Sequence, residues 1–249
     1  MSINDHKITK AVILAAGMGT RLRSIESERP KGFVCIDNQP LIEISINQLR
    51  KNGISQIIIV TGYKSHHYNA LQKKYSFIKT VYNPKYNSSG SMYSLFCAKS
   101  FIENDHFLLL ESDLLYENRA IDSLIDSSKK DLILISGETK AGDEVYVSLR
   151  NRLFFFMSKK KKDLPSIDGE LVGITKISPE LFEIMNNYSE SFFNKTLMLD
   201  YEDCLNAISG QIEIYCHKID DLLWTEIDDP NQYNRAEKII YPKIKESSL

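Results

Sequence analysis

Residues 10–33 read KAVILAAGMGTRLRSIESERPKGF, and the order of residue types in this stretch decides how the rest of the chain is read. Ala11, Val12, Ile13 and Leu14 form a short apolar run that stops in small residues, the pattern of a buried strand. After it, Ala15, Ala16, Gly17 and Gly19 leave main-chain N–H groups bare, and a turning backbone without side chains can close around an anion. Arg21 follows the glycines directly, and Lys31 comes later behind Pro30, whose ring fixes the local backbone. Two cations beside a main-chain nest imply a polyphosphate rather than a lone carboxylate. Two familiar glycine motifs do not account for the stretch. A P-loop requires Lys and then Ser or Thr after its last glycine, whereas Gly19 is followed by Thr20 and Arg21; the dinucleotide fingerprint requires a small residue where Leu22 stands.

Composition sets the outer limits. The chain has 249 residues, 43% of them hydrophobic, enough for the core of one large α/β domain. A formal net charge of −2 argues against nucleic acid or an anionic membrane as partner. Cys35, Cys97, Cys204 and Cys216 are far apart and lack the paired spacing of a zinc or redox site, as in reduced cytosolic thiols. The N-terminal residues form no signal sequence and no later run is long enough for a membrane helix, so a cytoplasmic protein is expected.

Outward from the opening stretch, helices and strands alternate. Residues 40–53 carry Leu41, Ile42, Ile46 and Leu49 at helical spacing; QIIIVTGY (56–63) reads as a strand buried on both faces; a helix runs from Ser65 to Tyr75 and a short strand from Ile78 to Asn83. PKYNSSGS (84–91) interrupts the pattern before a helix near Met92, and Gly90 and Ser91 at that helix start can read a base edge or simply cap the helix. HFLLLESD (106–113) is the next strand. Ligands of open α/β sheets bind beyond the carboxyl ends of strands, which makes Asp113 a candidate Mg²⁺ ligand. A helix through Ser127 and the strand DLILISG (131–137) then complete a doubly wound, mostly parallel sheet flanked by helices, its nucleotide-binding half covering about residues 8–137.

From Glu138 the texture changes to short alternating pieces, consistent with a small β-rich extension over about residues 138–241, followed by a polar tail or linker at 242–249. Lys140 stands on the turn after DLILISG, and Lys159–Lys162 is expected to be a solvated loop. A helix follows Pro179, and LDYEDCLNAIS (199–209) is another, with Asp200, Tyr201, Glu202 and Asp203 in its first turn. Those carboxylates either complement the helix dipole or hold a cation. A strand over Gln211–His217, the segment WTEIDDP (224–230) and a final helix over 230–241 end the reading.

LAAGMGTRL followed by ERPKG resembles the signature of the nucleotidyltransferase superfamily, which activates sugars and small alcohol phosphates as nucleoside diphosphate derivatives. The resemblance implies a Rossmann-like fold with a triphosphate lying along Leu14, Ala15, Ala16, Gly17, Met18, Gly19 and Thr20. It also implies a base gripped at Gly90 and Ser91, and catalysis by Arg21, Lys31, Asp113 and Asp228. Asp228 matches a late acidic motif that supplies the second Mg²⁺ ligand, while Glu111 stands where many relatives have Asp. So short a chain is similar to the small cytidylyltransferases that use CTP with phosphocholine or 2-aminoethylphosphonate. The β-rich extension over about residues 138–241 is then the acceptor-binding half, with Lys140 the candidate partner of the acceptor oxyanion; the acceptor is expected to be a small phosphate or phosphonate bearing an amine, held by Lys140, Asp200, Tyr201, Glu202, Asp203 and Trp224. Carboxylates outnumber aromatics among these, which favours the primary aminium of aminoethylphosphonate over choline's quaternary nitrogen. A sugar-1-phosphate enzyme, an inactive nucleotide-binding regulatory module, and fusion to or association with another enzyme of the same pathway are the remaining readings.

Overall fold

The computed structural model describes residues 7–22 and 28–247. Residues 23–27 of the opening stretch, the first six residues and the last two lie outside the described residues.

The apolar run is strand β1 (Lys10–Ala15), buried along its whole length. Two short strands, β2 (Cys35–Ile36) and β3 (Gln39–Pro40), lead into helix α1 (Leu41–Lys51), which buries Leu41, Ile42, Ile46 and Leu49 as its spacing requires. Then come β4 (Gln56–Thr61), α2 (His66–Lys74), β5 (Ile78–Tyr82), α3 (Ser91–Cys97), the single turn α4 (Lys99–Ile102) and β6 (Phe107–Glu111). The central sheet orders these strands β5-β4-β1-β6, all parallel, so the chain reverses its winding between β1 and β6. That reversal is the place where an open α/β sheet leaves a crevice beyond its strand ends. Leu14 stands opposite Glu111 in the β1–β6 register, so the glycine loop and the acidic strand end leave the sheet side by side.

Period-two alternation divides the core. Val12 and Leu14 pack on one face with Met92 and Leu95 of α3, and Ala11 and Ile13 pack on the other with Ile42, Ile46 and Leu49 of α1. A third cluster joins Leu22, just after the glycine loop, to Leu115, Ile227, Ala236, Ile240 and Ile244.

The expected helix directly after Asp113 is preceded by a strand, β7 (Leu114–Tyr116), and starts only at α5 (Arg119–Asp126). β8 (Leu132–Ser136), β9 (Tyr146–Arg150), β10 (Leu153–Ser158) and β11 (Gly169–Ile177) follow. Helix α6 (Pro179–Phe193) is longer than its pattern suggests, and Ser178 caps it by accepting from the Leu181 N–H. α7 (Tyr201–Ile208), β12 (Tyr215–Ile219) and β13 (Trp224–Glu226) complete the second half. Here the sheet becomes predominantly antiparallel, continuing β6-β11-β8-β12-β10-β9, so the whole is a mixed sheet flanked by helices.

The expected final helix is α8 (Pro230–Arg235), a π-helical turn at Ala236–Ile240 and α9 (Tyr241–Ser247). The polar tail placed at 242–249 is therefore helical through Ser247, and the reason is Ile244, buried in the third cluster. All four cysteines are free thiols. Among the described residues no helix is long and apolar enough to cross a membrane.

Candidate active site

The pairing of β7 with β13 assembles the site. These antiparallel strands set Leu114 opposite Glu226, and the Ile227 N–H donates to the Asp113 carbonyl at 3.0 Å. Two acidic segments far apart in sequence, 111–113 and 226–228, thus lie beside the glycine loop.

A cleft of about 360 Å³ opens there. Of the residues expected to meet the nucleotide or the chemistry, Leu14, Ala15, Ala16, Gly17, Gly19, Thr20, Arg21, Lys31, Gly90, Ser91, Asp113 and Asp228 all line it. Met18 does not, pointing outward at 41% exposure. Gly19 has φ +54°, and a Cβ there would lie 3.2 Å from the Lys31 Cβ, so a glycine both makes the turn and lets the Lys31 stem pass. Gly90 is required by close approach: a Cβ would lie 2.3 Å from the Leu199 carbonyl oxygen, and the Gly90 N–H donates to Leu197 O at 2.9 Å.

Lys31 pairs with both Asp113 and Asp228, and its ammonium lies 3.6 Å from Glu226 Oε1. Burial opposes its charge, but Asp113 and Glu226 outweigh burial and raise its pKa. Arg21 donates to Asp228 through Nη2 and to Asp143 Oδ2 through Nη1 at 3.1 Å. Carboxylate oxygens of Glu111, Asp113 and Glu226 come within 4.8 Å of one another. An all-carboxylate donor set suits a hard cation such as Mg²⁺ better than a thiophilic metal. Burial raises the Glu111 carboxyl well above the usual range, helped by Glu226 and opposed by the Tyr201 hydroxyl, which donates to it at 2.8 Å.

Behind this cluster lies a second cleft, lined by Glu111, Glu202, Glu226, Trp224, Lys159 and Asp143 among others. Of the residues expected at the acceptor, Glu202 and Trp224 are in it. Four are not, each for a physical reason. Lys140 projects outward, its side chain 78% exposed and 3.9 Å from Glu138. Asp200 accepts from the Ser91 N–H at 2.9 Å and hydroxyl at 3.2 Å, and so tethers the start of α3. Tyr201 is buried beneath Glu111, and Asp203 is exposed. The lysine run is exposed as expected, and its first member, Lys159, also lines the cleft.

Glu226 was legible in principle, since it shares strand parity with Trp224 and Asp228; nothing local marks Lys159 or Asp143. Burial pushes the Glu202 carboxyl up to about 7, with Asp200 and Asp203 adding to it against hydrogen bonding from its own main chain. Among the described residues, Glu202 Oε2 and Trp224 Nε1 are buried without a hydrogen-bond partner.

Comparison with known proteins gives this geometry its family. Residues 11–167 match the MobA-like NTP transferase domain. The choline-phosphate cytidylyltransferase of Streptococcus pneumoniae is 37% identical over 93% of this chain and 98% of its own. The 2-aminoethylphosphonate cytidylyltransferase of Lancefieldella rimae is 30% identical over 45% of this chain and 46% of its own. The structure of the inositol-1-phosphate CTP transferase from T. maritima superposes with a TM-score of 0.82 at 21% identity, covering 96% of this chain and 97% of that one. The chain belongs to the MobA-like NTP transferase family, and within it to the CTP-dependent nucleotidyltransferases, the cytidylyltransferases.

Proposed function

We propose that the protein transfers CMP from CTP to a small phosphate-bearing amine, phosphocholine first, releasing pyrophosphate. The observation that carries this reading is the second cleft, which Glu111, Glu202, Glu226 and Trp224 line together and which meets the first cleft at Glu111 and Glu226. Carboxyl groups and an aromatic ring complement a cationic nitrogen, whose charge favours their ionised forms, whereas a neutral sugar ring would leave burial to hold them protonated. The S. pneumoniae relative supports phosphocholine because its likeness extends over nearly the whole chain. A second reading, 2-aminoethylphosphonate, is favoured by the unpartnered Glu202 Oε2, since a primary aminium brings N–H donors that choline lacks.

In this reading CTP lies along the glycine loop with its base towards Gly90 and Ser91. An acceptor oxyanion attacks the α-phosphorus in line; a new phosphorus–oxygen bond forms as the bond to the bridging oxygen breaks, and the electron pair leaves with pyrophosphate. Arg21 and Lys31 neutralise the triphosphate and the departing pyrophosphate, while Lys159 takes the role first given to Lys140 and meets the acceptor oxyanion. Asp113 and Asp228, with Glu226 of the carboxylate cluster, would hold a Mg²⁺ ion, whose chemistry there is to offset charge on the phosphate oxygens. An acceptor already ionised needs no general base, and no histidine lines either cleft among the described residues.

The test is a matrix of CTP, UTP and ATP against phosphocholine, 2-aminoethylphosphonate and glucose-1-phosphate, read by pyrophosphate release with Mg²⁺. CTP with an amine acceptor is expected to dominate. A clear preference for the sugar phosphate overturns the reading, and silence of every pair in a folded protein favours an inactive nucleotide-binding module.

A further inference from the structure

The loop between β8 and β9 carries a carboxylate that lines the second cleft and pairs with a residue of the first. Asp143 Oδ2 accepts from Arg21 Nη1 at 3.1 Å, and its Oδ1 accepts from Lys159 Nζ at 2.9 Å. Arg21 lines the nucleotide cleft and also donates to Asp228; Lys159, just past β10, lines the second cleft together with Asp143. One side chain therefore joins a cation from the glycine loop to a cation from the far end of the sheet.

The loop is anchored where it carries this residue. The Thr139 N–H donates to Glu170 Oε2 at 2.8 Å, Arg235 Nη2 donates to the Thr139 carbonyl at 3.2 Å, and the Gly142 N–H donates to Glu144 Oε1 at 2.9 Å. Burial opposes charge on Asp143, but hydrogen bonds from Lys159 and Arg21 outweigh it and hold the carboxyl below its usual range. Stability does not explain the arrangement. The Arg21 and Lys159 side chains are 56% and 58% exposed, and ion pairs so open to water stabilise a fold little. What the pairs do accomplish is to restrict two long, rotamer-rich side chains at the seam between the clefts, so that less freedom is lost when an anion arrives.

We infer that Asp143 is a positioning residue of the transfer reaction, holding Arg21 and Lys159 aligned across the boundary between nucleotide and acceptor. This rests on the reading that the second cleft takes the acceptor. The two carboxylate oxygens of Asp143 are taken up by these cations, and it acts through them.

Pyrophosphate release with CTP, Mg²⁺ and phosphocholine or 2-aminoethylphosphonate tests it in the wild type, Asp143→Asn, Asp143→Glu, Lys159→Met and the double variant Asp143→Asn/Lys159→Met. Asp143→Asn is expected to melt with the wild type yet lose about tenfold in acceptor kcat/KM, chiefly through KM, with partial recovery in Asp143→Glu. Because Asp143 acts on the acceptor side through Lys159, the double variant is expected within about twofold of Lys159→Met alone in acceptor KM, any further loss through Arg21 falling on kcat. Losses in acceptor KM that multiply in the double variant, or an Asp143→Asn enzyme within twofold of wild type, overturn the inference while leaving the acceptor reading intact. A wild type silent with both amines overturns the acceptor reading, and this inference with it.

Discussion

The two clefts are built on opposite plans. The nucleotide cleft is made mostly of a few runs of consecutive residues, the glycine loop after β1, the start of α3 and the end of β6, closed by Lys31, Glu226 and Asp228. The second cleft is made of side chains from β6, the β8–β9 loop, the residue after β10, α7, β13 and α8, and no two neighbouring segments of the chain suffice to form it. In the proposed reading, the cradle at the glycine loop takes the phosphates and the second cleft takes the acceptor. A cleft of side chains can be re-lined one residue at a time without disturbing the sheet. The difference teaches where fold ends and specificity begins.

The sharpest way to break the comparison is at the ion-paired lysine and carboxylate of the first cleft. Lys31→Ala and Asp113→Asn are each expected to lower kcat at saturating CTP by about 10²–10³-fold while far-UV circular dichroism is unchanged. Turnover near wild type in either would remove these residues from the chemistry. Next is the main-chain cradle itself. Gly90→Ala places a Cβ against the Leu199 carbonyl, so unfolding free energy is expected to fall by about 1–3 kcal/mol by denaturant titration, with weaker CTP binding. An unchanged midpoint would mean that the 197–199 backbone yields freely.

The acceptor side is expected to respond without loss of fold. Glu202→Gln should lower acceptor kcat/KM by about tenfold and leave CTP binding alone. The pH dependence has a definite sign. With the Glu202 carboxyl at about 7 in the folded protein against an ordinary value of 4.5, the native state holds a proton that the unfolded state releases. Its contribution therefore makes the unliganded protein less stable as pH rises from about 4.5 to about 7, and binding of a cationic amine strengthens as the carboxyl ionises near 7. Acceptor KM is expected to fall from about pH 6 to about pH 8 in the wild type and to stay level in Glu202→Gln. The smallest effect is expected at Lys140→Ala, within about twofold of wild type in acceptor kcat/KM, because the side chain stands in solvent outside both clefts.

The same contrast explains what the sequence disclosed. β1, its glycine loop and Asp113 are written in consecutive residues whose periodicity and small side chains carry the signal. The β7–β13 ladder was not readable, since each strand has three residues and its partner lies more than a hundred positions away. Without that pairing Glu226 has no neighbour to act with, and Glu111 remains an oddity of the strand end. Lys140 was favoured over Lys159 because proximity in sequence stood in for proximity in space, and the left-handed backbone at Lys140, φ +56°, lies in the loop that carries it away. Asp200, Glu202 and Asp203 looked equivalent in one helical turn, but a helix sends successive side chains about 100° apart, and only the middle one faces the cleft.

Trp224 is the only tryptophan in the chain, and its indole N–H is buried in the acceptor-side cleft with no partner among the described residues. Indole emission, excited at the red edge where the 13 tyrosines no longer absorb, consequently originates at one wall of that cleft. A ligand entering there changes the polarity around the ring, so occupancy can be followed optically, without a label and before any bond is made.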